Sequence, residues 1–205
     1  MMLSPLNAQR GYLICVCRTS LIVTLTAIVA GTSCQAGKID FTPIVGTRVL
    51  EGVSFPQLIF RQDGHQISYE PPRDWSYTGD TSRLRLSPAK APQAQAIIEQ
   101  TMLSSPQPLD ESMVKQLPGL VTAAVPADAT NIQVIAEESS PVRVNQQESY
   151  ELFVTYSCFG QAYEMSALFA NVGDLQLRFR LLARKADFEA LHRAFRGSIF
   201  SLRWI

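Results

Sequence analysis

The chain has 205 residues, with 18 basic and 18 acidic side chains, 46% hydrophobic residues, four cysteines and two histidines. A formal charge of zero argues against a nucleic-acid-binding protein, which normally carries a strongly basic domain or stripe. Ample aliphatic residues argue against a disordered chain, and the 12 prolines and 11 glycines follow no collagen-like period. A globular protein with room for one sizeable core remains.

The first 36 residues have the pattern of a secretory leader. They contain Arg10 and Arg18 but no acidic residue, then an apolar segment of 11 residues, Leu21–Gly31, and a small polar stretch that ends at Ala36. This order of positive flank, apolar segment and small residues is typical of signal peptides. A membrane-spanning helix needs about 20 apolar residues. We therefore expect a leader over 1–36, cleavage after Ala36, and a domain that is periplasmic or secreted.

Cys34 offers a second end to the leader. A cysteine that directly follows an apolar segment and small residues is where bacterial lipoproteins are cut and acylated, although the position three residues earlier is Gly31 rather than a leucine-like residue. A retained leader that anchors the domain in the membrane is a third alternative. All three alternatives export the domain.

The positions of the cysteines and charged residues change two expectations from composition, the possibility of disulfides and the net charge. Cys15, Cys17 and Cys34 belong to the leader, so Cys158 alone would remain after cleavage at Ala36 and no disulfide could form within the chain. The remaining 169 residues carry 16 basic and 18 acidic side chains, a formal charge of −2. The fold must then be stabilised by packing alone.

The mature chain begins with an extended lead-in over 37–56 and continues with a hairpin. Asp63-Gly64 separates two alternating segments, and this dipeptide favours a type I′ turn, in which both central residues have positive φ. A two-residue loop pairs Phe60 with Ile67 and Leu58 with Tyr69. Both pairs are apolar and lie on one face, so the register is self-consistent.

Strands and one helix follow. Alternation predicts strands over 83–86, 94–102 and 131–138. Between the last two, Asp110 has the character of a helix N-cap, and Pro118 should kink or split the helix. The apolar stripe of this helix is formed by Met113, Leu117, Leu120, Val121 and Ala124.

Residues 150–184 predict a three-stranded meander. A turn at Phe159-Gly160 pairs Tyr156 with Tyr163, and every other pair on that face is also apolar. A three-residue loop over 171–173 would continue the same face onto a third strand. In that register Glu164 lies beside Arg180 on the opposite, polar face.

The chain closes with a helix over 187–196 and an edge strand over 200–204. Phe188, Leu191 and Phe195 form the stripe of the helix, and Gly197 suits the residue after its last turn. We find no internal repeat or long linker. A single domain over 57–205 is therefore expected.

The order of these elements, with Tyr69, Pro71, Pro72 and Trp75 near the start, resembles the PsbP-like family of photosystem extrinsic subunits and DcrB-like bacterial lipoproteins. At the carboxyl end the likeness rests on Phe188, Leu191, Phe195, Ser198, Ile199, Ser201, Leu202 and Trp204. The chain departs from the family pattern by having two prolines before the aromatic residue. The resemblance implies an α+β fold, an antiparallel sheet flanked by helices in an α/β/α sandwich. It also implies a binding or assembly module without known chemistry.

No group of residues predicts catalysis or a metal. Cys158 with His192 could form a thiol nucleophile and base, but strand parity turns Cys158 to the buried face, where a thiol is inert. His65 beside Asp63 gives two ligands, too few for zinc. Glycine-rich phosphate loops and G-x-S-x-G are absent from the sequence. We expect no cofactor.

A polar surface is the remaining candidate site. If the strands are neighbours, Arg83, Arg85, Arg178 and Arg180, with Glu164, could bind a carboxylate or another anion, because guanidinium presents a planar fork of donors. The alternative is an ordinary solvated sheet face. We expect a non-enzymatic binding or assembly module of the cell envelope, whose partner is another envelope protein or a small anionic ligand. The alternative function is an extracytoplasmic hydrolase or transferase that uses His192 or His65.

Overall fold

A computed structural model describes residues 37–205, so the predicted leader, Cys34 and the cleavage site after Ala36 lie outside the described residues. The strands are β1 (Asp40–Leu50), β2 (Val53–Gln62), β3 (His65–Tyr69), β4 (Trp75–Gly79), β5 (Arg83–Pro88), β6 (Gln95–Met102), β7 (Thr130–Ser139), β8 (Ser149–Cys158), β9 (Gln161–Val172), β10 (Leu175–Arg184) and β11 (Arg203–Trp204). The helices are α1 (Glu111–Val114), α2 (Leu117–Ala123) and α3 (Lys185–Ile199). Within this part of the chain, each helix is too short or too polar to cross a bilayer.

The strands form two sheets. The small sheet has the order β1-β2-β3-β11, and the large sheet has the order β4-β5-β6-β10-β9-β8-β7. All neighbouring strands are antiparallel. The prediction of an antiparallel β architecture is confirmed, with few residues in helices.

Two predicted hairpins have the predicted register. Asp63 and Gly64 both have positive φ, and Phe60 pairs with Ile67. Phe159 and Gly160 also have positive φ, and the strands β8 and β9 that flank them pair as expected, Tyr156 with Tyr163. Both turns therefore form because residues that tolerate positive φ lie where two alternating strands meet.

The β9–β10 hairpin differs from the prediction. Its loop is the two-residue Gly173-Asp174, and Val172 pairs with Leu175, so the predicted three-residue loop over 171–173 is wrong. Relative to the predicted pairing, β10 is shifted along β9 by an odd number of residues. Every side chain of β10 therefore points to the face opposite to the predicted one. Phe169 consequently pairs with Arg178 instead of facing Leu175.

One face of the large sheet is covered by α3 and by the small sheet. The core on this side joins Phe188, Phe195 and Ile199 of α3 to the inward residues of both sheets, including Phe60, Tyr69 and Phe179. β1 crosses close to β4, and the carbonyl of Phe41 lies where a Cβ on Gly79 would be. This core contains most of the fully buried aromatic side chains.

The other face is covered over only part of its width. Leu117 and Val121 of α2 pack on β8 and β9, in a second core that includes Leu152, Met165 and Phe169. The Asp110 side chain caps α1 by accepting from the backbone N of Met113 at 2.8 Å. Pro118 lies in the first turn of α2, so the predicted helix is split there.

Three local expectations need correction. Leu120, placed on the buried stripe, is 48% exposed, because the split at Pro118 changes the phase of the second helix. Gly197 lies inside α3 rather than after it, since α3 continues to Ile199. The extended lead-in over 37–56 forms all of β1 and the start of β2, joined by a turn at Glu51-Gly52 with positive φ.

Candidate functional site: an arginine face on the large sheet

The part of the large sheet that α1 and α2 leave open carries the predicted arginines. β6 lies between β5 and β10, so the pairing runs from Arg83 through Glu99 to Arg178, and from Arg85 through Ile97 to Arg180. Directly opposed residues in antiparallel strands point to the same side. We call this surface the arginine face: Arg83, Arg85, Glu99, Arg178 and Arg180.

Glu99 is the acidic centre of the arginine face. Both Nε and Nη2 of Arg178 lie 2.6 Å from its Oε1, and Nη2 of Arg180 lies 4.0 Å from the same oxygen. All three side chains are less than 30% exposed. One carboxylate thus faces three arginines across three strands, and the surface keeps an excess of positive charge.

The environment of Arg180 shows this excess. Desolvation by burial lowers the pKa of Arg180. The positive charges of Arg178 and Arg83 lower this pKa further, whereas Glu99 and Tyr156 raise it. Arg180 stays charged, because an arginine pKa lies far above neutral pH. Its charge therefore lies close to other positive charges, and an anion bound here would be stabilised by all of them.

Ile97 gives the arginine face an apolar floor. It is 7% exposed although it belongs to neither core cluster. Arg85 and Arg180 flank it on the neighbouring strands, so we assign its burial to their aliphatic stems.

Glu164 is not part of this surface. The shifted β9–β10 register pairs it with Ala183 and not with Arg180, and it lies on the face that α3 covers. Its Oε1 is 3.4 Å from Nζ of Lys185 at the start of α3. The prediction that Glu164 joins the arginines is therefore incompatible with this register.

Sequence reasoning missed Glu99 and Arg184. Glu99 lies in a correctly predicted strand, but the neighbours of β6 are distant in sequence, so nothing local marks it as the partner of Arg178. Arg184 is two positions beyond Leu182 and shares the face of the other β10 arginines. An alternation count along β10 could have found Arg184.

The two residues considered for thiol catalysis lie on opposite sides of the large sheet. Cys158 is 8% exposed in the core beneath α2. His192 lies on α3, where its Nε2 is 2.6 Å from Oε1 of the buried Glu151 and its ring contacts Phe153 and Phe188. The sheet therefore separates thiol and imidazole.

The cavities found among residues 37–205 do not include the histidine on α3. Four have volumes of about 250–340 Å³, and none of those four is lined by His192 or Glu151. Among residues 37–205, no group of three or more histidine, cysteine, aspartate and glutamate side chains could hold a metal ion. His65 lies in the exposed β2–β3 turn region.

Comparison with known proteins supports the fold. No protein-family model matches the chain, and no curated protein matches it. Among solved structures, the cyanobacterial PsbP (CyanoP) of Synechocystis sp. PCC 6803 is similar, with a TM-score of 0.50 and 11% identity over 68% of this chain and 86% of that one. A protein from Bacteroides thetaiotaomicron gives a TM-score of 0.43 at 12% identity, over 67% of this chain and 44% of that one. The first likeness shows a PsbP-like fold.

Proposed function

We propose that this chain is a non-enzymatic binding or assembly module that acts in the cell envelope and recognises an acidic partner through the arginine face. The observation that carries this proposal is that Arg83, Arg178 and Arg180 face the carboxylate of Glu99 while Arg85 lies beside them on the same surface. The location rests on the predicted leader over 1–36.

Charge geometry favours a carboxylate or phosphate ligand. Arg85 is exposed and opposes Ile97, so its guanidinium is not committed to Glu99. Guanidinium groups bind planar anions through paired N–H donors, and several of them on a rigid sheet hold such donors in fixed positions. An acidic side-chain cluster of a partner fits this arrangement.

An exposed apolar segment favours a protein over a small anion as the partner. The outer end of the β1–β2 hairpin carries Val45, Val49, Leu50 and Val53, each at least 50% exposed. Apolar residues that cluster on a surface are typical of protein contact sites. We therefore assign the hairpin end a contact with a protein of the envelope.

The enzyme alternative has one observation in its favour, the His192–Glu151 pair. Glu151 is 2% exposed and His192 stacks on Phe188, so both groups are enclosed by the α3 core. A general base must reach a substrate proton directly or through one water. The pair is better explained as a bond between α3 and β8 than as a catalytic dyad.

The positions of α2 and α3 bear on the α/β/α sandwich that the resemblance implies. α3 packs against β9 and β10, and α2 packs against β8 on the other side. We infer that the large sheet with these helices corresponds to the α/β/α sandwich of the PsbP-like family. The small sheet would then be an added layer beside α3.

Partner capture tests the proposal. The protein is immobilised and exposed to a detergent-solubilised envelope fraction of its native cells, and retained proteins are identified and quantified by mass spectrometry. We expect one acidic protein to be retained. The double variant Arg85→Ala/Arg180→Ala should retain at least tenfold less of this protein. Val49→Ser/Leu50→Ser should lower the amount of protein that is retained through the hairpin end.

Arg193→Ala is the matched control. Arg193 is an exposed arginine on α3 that pairs with Glu189 four residues earlier, so its removal takes away one charge without touching the arginine face. It should leave capture unchanged. Equal retention by wild-type protein and Arg85→Ala/Arg180→Ala, with both variants folded by circular dichroism, would contradict the proposal.

A further inference from the structure

The backbone of Gly37 is held on both sides by the β2–β3 hairpin. Its N donates to the Asp63 carboxylate, and its carbonyl accepts from Nε2 of Gln62 at 2.8 Å. Gln62 is itself 7% exposed, and its Oε1 accepts from Nε1 of Trp204 at 2.8 Å. Gln62 thus links Gly37 to Trp204 near the carboxyl end of the chain.

A side chain at position 37 would require Asp63 to move. A Cβ built on Gly37 would overlap the Asp63 carboxylate. Two residues later, both backbone groups of Ile39 bond the side chain of Gln100, at 2.8 and 2.6 Å, and the Ile39 side chain is buried. Tertiary hydrogen bonds therefore hold the chain from Gly37 onwards.

We propose that Gly37 is the first residue of the mature protein and that its free α-ammonium is held by the Asp63 carboxylate. This inference rests on the export that the proposed function assumes. It is carried by the coincidence of two independent observations: the small-residue exit at Ala36 in the sequence, and a carboxylate directed at the N of the next residue. Capture of an amino terminus by a polar nest is a recurrent recognition mode.

The processing step is a hydrolysis by the signal peptidase of the host. Water breaks the C–N bond between Ala36 and Gly37, its oxygen completes the Ala36 carboxylate, and its protons complete the Gly37 ammonium. An amide N–H becomes a cationic donor at the same place. Hydrogen bonds from a charged donor to a carboxylate are about twice as strong as neutral ones.

The full-length gene, expressed in a bacterial host that exports it, gives the first test. Intact mass and the sequence of the amino-terminal peptide should identify Gly37 with a free amine. A chain that starts at an acylated Cys34 would overturn this inference and leave export intact. An intact Met1 would overturn this inference, and the envelope location would fail as well only if that intact chain is recovered in the cytoplasmic fraction.

Amine reactivity tests the capture itself. The processed protein is acetylated slowly at pH 7, and modification of the Gly37 amine is measured against that of the exposed Lys90 by peptide mass spectrometry. Asp63→Asn keeps a residue that tolerates positive φ and removes the negative charge. It should raise the relative labelling rate of Gly37 about threefold or more, and lower the melting temperature by about 2 °C.

Asp74→Asn is the matched control, because Asp74 is also an exposed aspartate with positive φ. It should leave the labelling of Gly37 unchanged. If wild type and Asp63→Asn label Gly37 at the same rate, the capture is disproved. Partner retention on the arginine face is measured separately, so its success or failure does not depend on this result.

Discussion

Glu151 and His192 join the large sheet to α3 through a contact of 2.6 Å between Oε1 and Nε2. The carboxylate side chain is 3% exposed, and its second oxygen has Arg196 Nη1 at 3.7 Å but no hydrogen bond. Arg196 also pairs with Glu138 at 2.9 Å. A buried acid with so few partners depends strongly on each one.

His192→Ala should therefore lower the free energy of unfolding by about 3 kcal/mol, because it leaves the Glu151 carboxylate buried without its closest partner. Urea denaturation measures the loss. The double variant Glu151→Leu/His192→Phe removes the charge together with its partner and should recover part of the loss. A loss of less than about 0.5 kcal/mol for His192→Ala would show that the contact does not stabilise the fold.

Glu99→Gln should strengthen anion binding by the arginine face. The substitution frees Arg178 and Arg180 from their shared carboxylate and leaves the arginines without an internal anion. We expect tighter binding of poly-glutamate by about threefold to tenfold, with a steeper dependence on salt, since more ion pairs form with the ligand. Titration at two salt concentrations measures both effects. Weaker binding by Glu99→Gln would indicate that Glu99 positions the arginines for the ligand.

Tyr156 should contribute to alkaline unfolding. Burial raises its pKa to about 12, and Cys158 and Tyr163 contribute in the same direction. An unfolded tyrosine ionises near pH 10, so the unfolded state releases its proton first and stability falls as pH rises from about 10 to 12. Tyr156→Phe should reduce that fall by about 2 kcal/mol.

Denaturation at several pH values between 8 and 12 checks this prediction. Burial also raises the pKa of Tyr69, so some alkaline loss of stability should remain in Tyr156→Phe. Tyr77→Phe is a suitable control, because Tyr77 is only partly buried. A pH profile of Tyr156→Phe that parallels the wild type would contradict the assignment.

Gly79→Ala should destabilise the contact between the two sheets. The added Cβ would overlap the carbonyl oxygen of Phe41, which is backbone and cannot rotate away. We expect a loss of about 2–3 kcal/mol, in the range of overpacking substitutions. Gly119→Ala is the control, since space is open around Gly119 and alanine favours helix. Equal stability of the two variants would mean that β1 can move away from β4.

The β2–β3 and β8–β9 hairpins could be predicted because two local signals agree. Asp63-Gly64 and Phe159-Gly160 supply positive φ at the turns, and alternation places apolar residues opposite one another. The β9–β10 hairpin could not, because β9 is buried on both faces from Met165 to Val172. Either register sets one buried face of β9 against the apolar residues of β10, so the pattern does not choose between them.

Alternation of arginine with apolar residues along β5 and β10 is enough to predict that each pair of arginines shares one face, because successive side chains of a strand point to opposite faces. The position of β6 between those strands, and the choice of Glu99 rather than Glu164 as their carboxylate, follow from the packed fold. Strand order depends on contacts between distant segments, and the face of β10 depends on the length of a single turn. Both are set by the packing of the whole sheet, which no local pattern encodes.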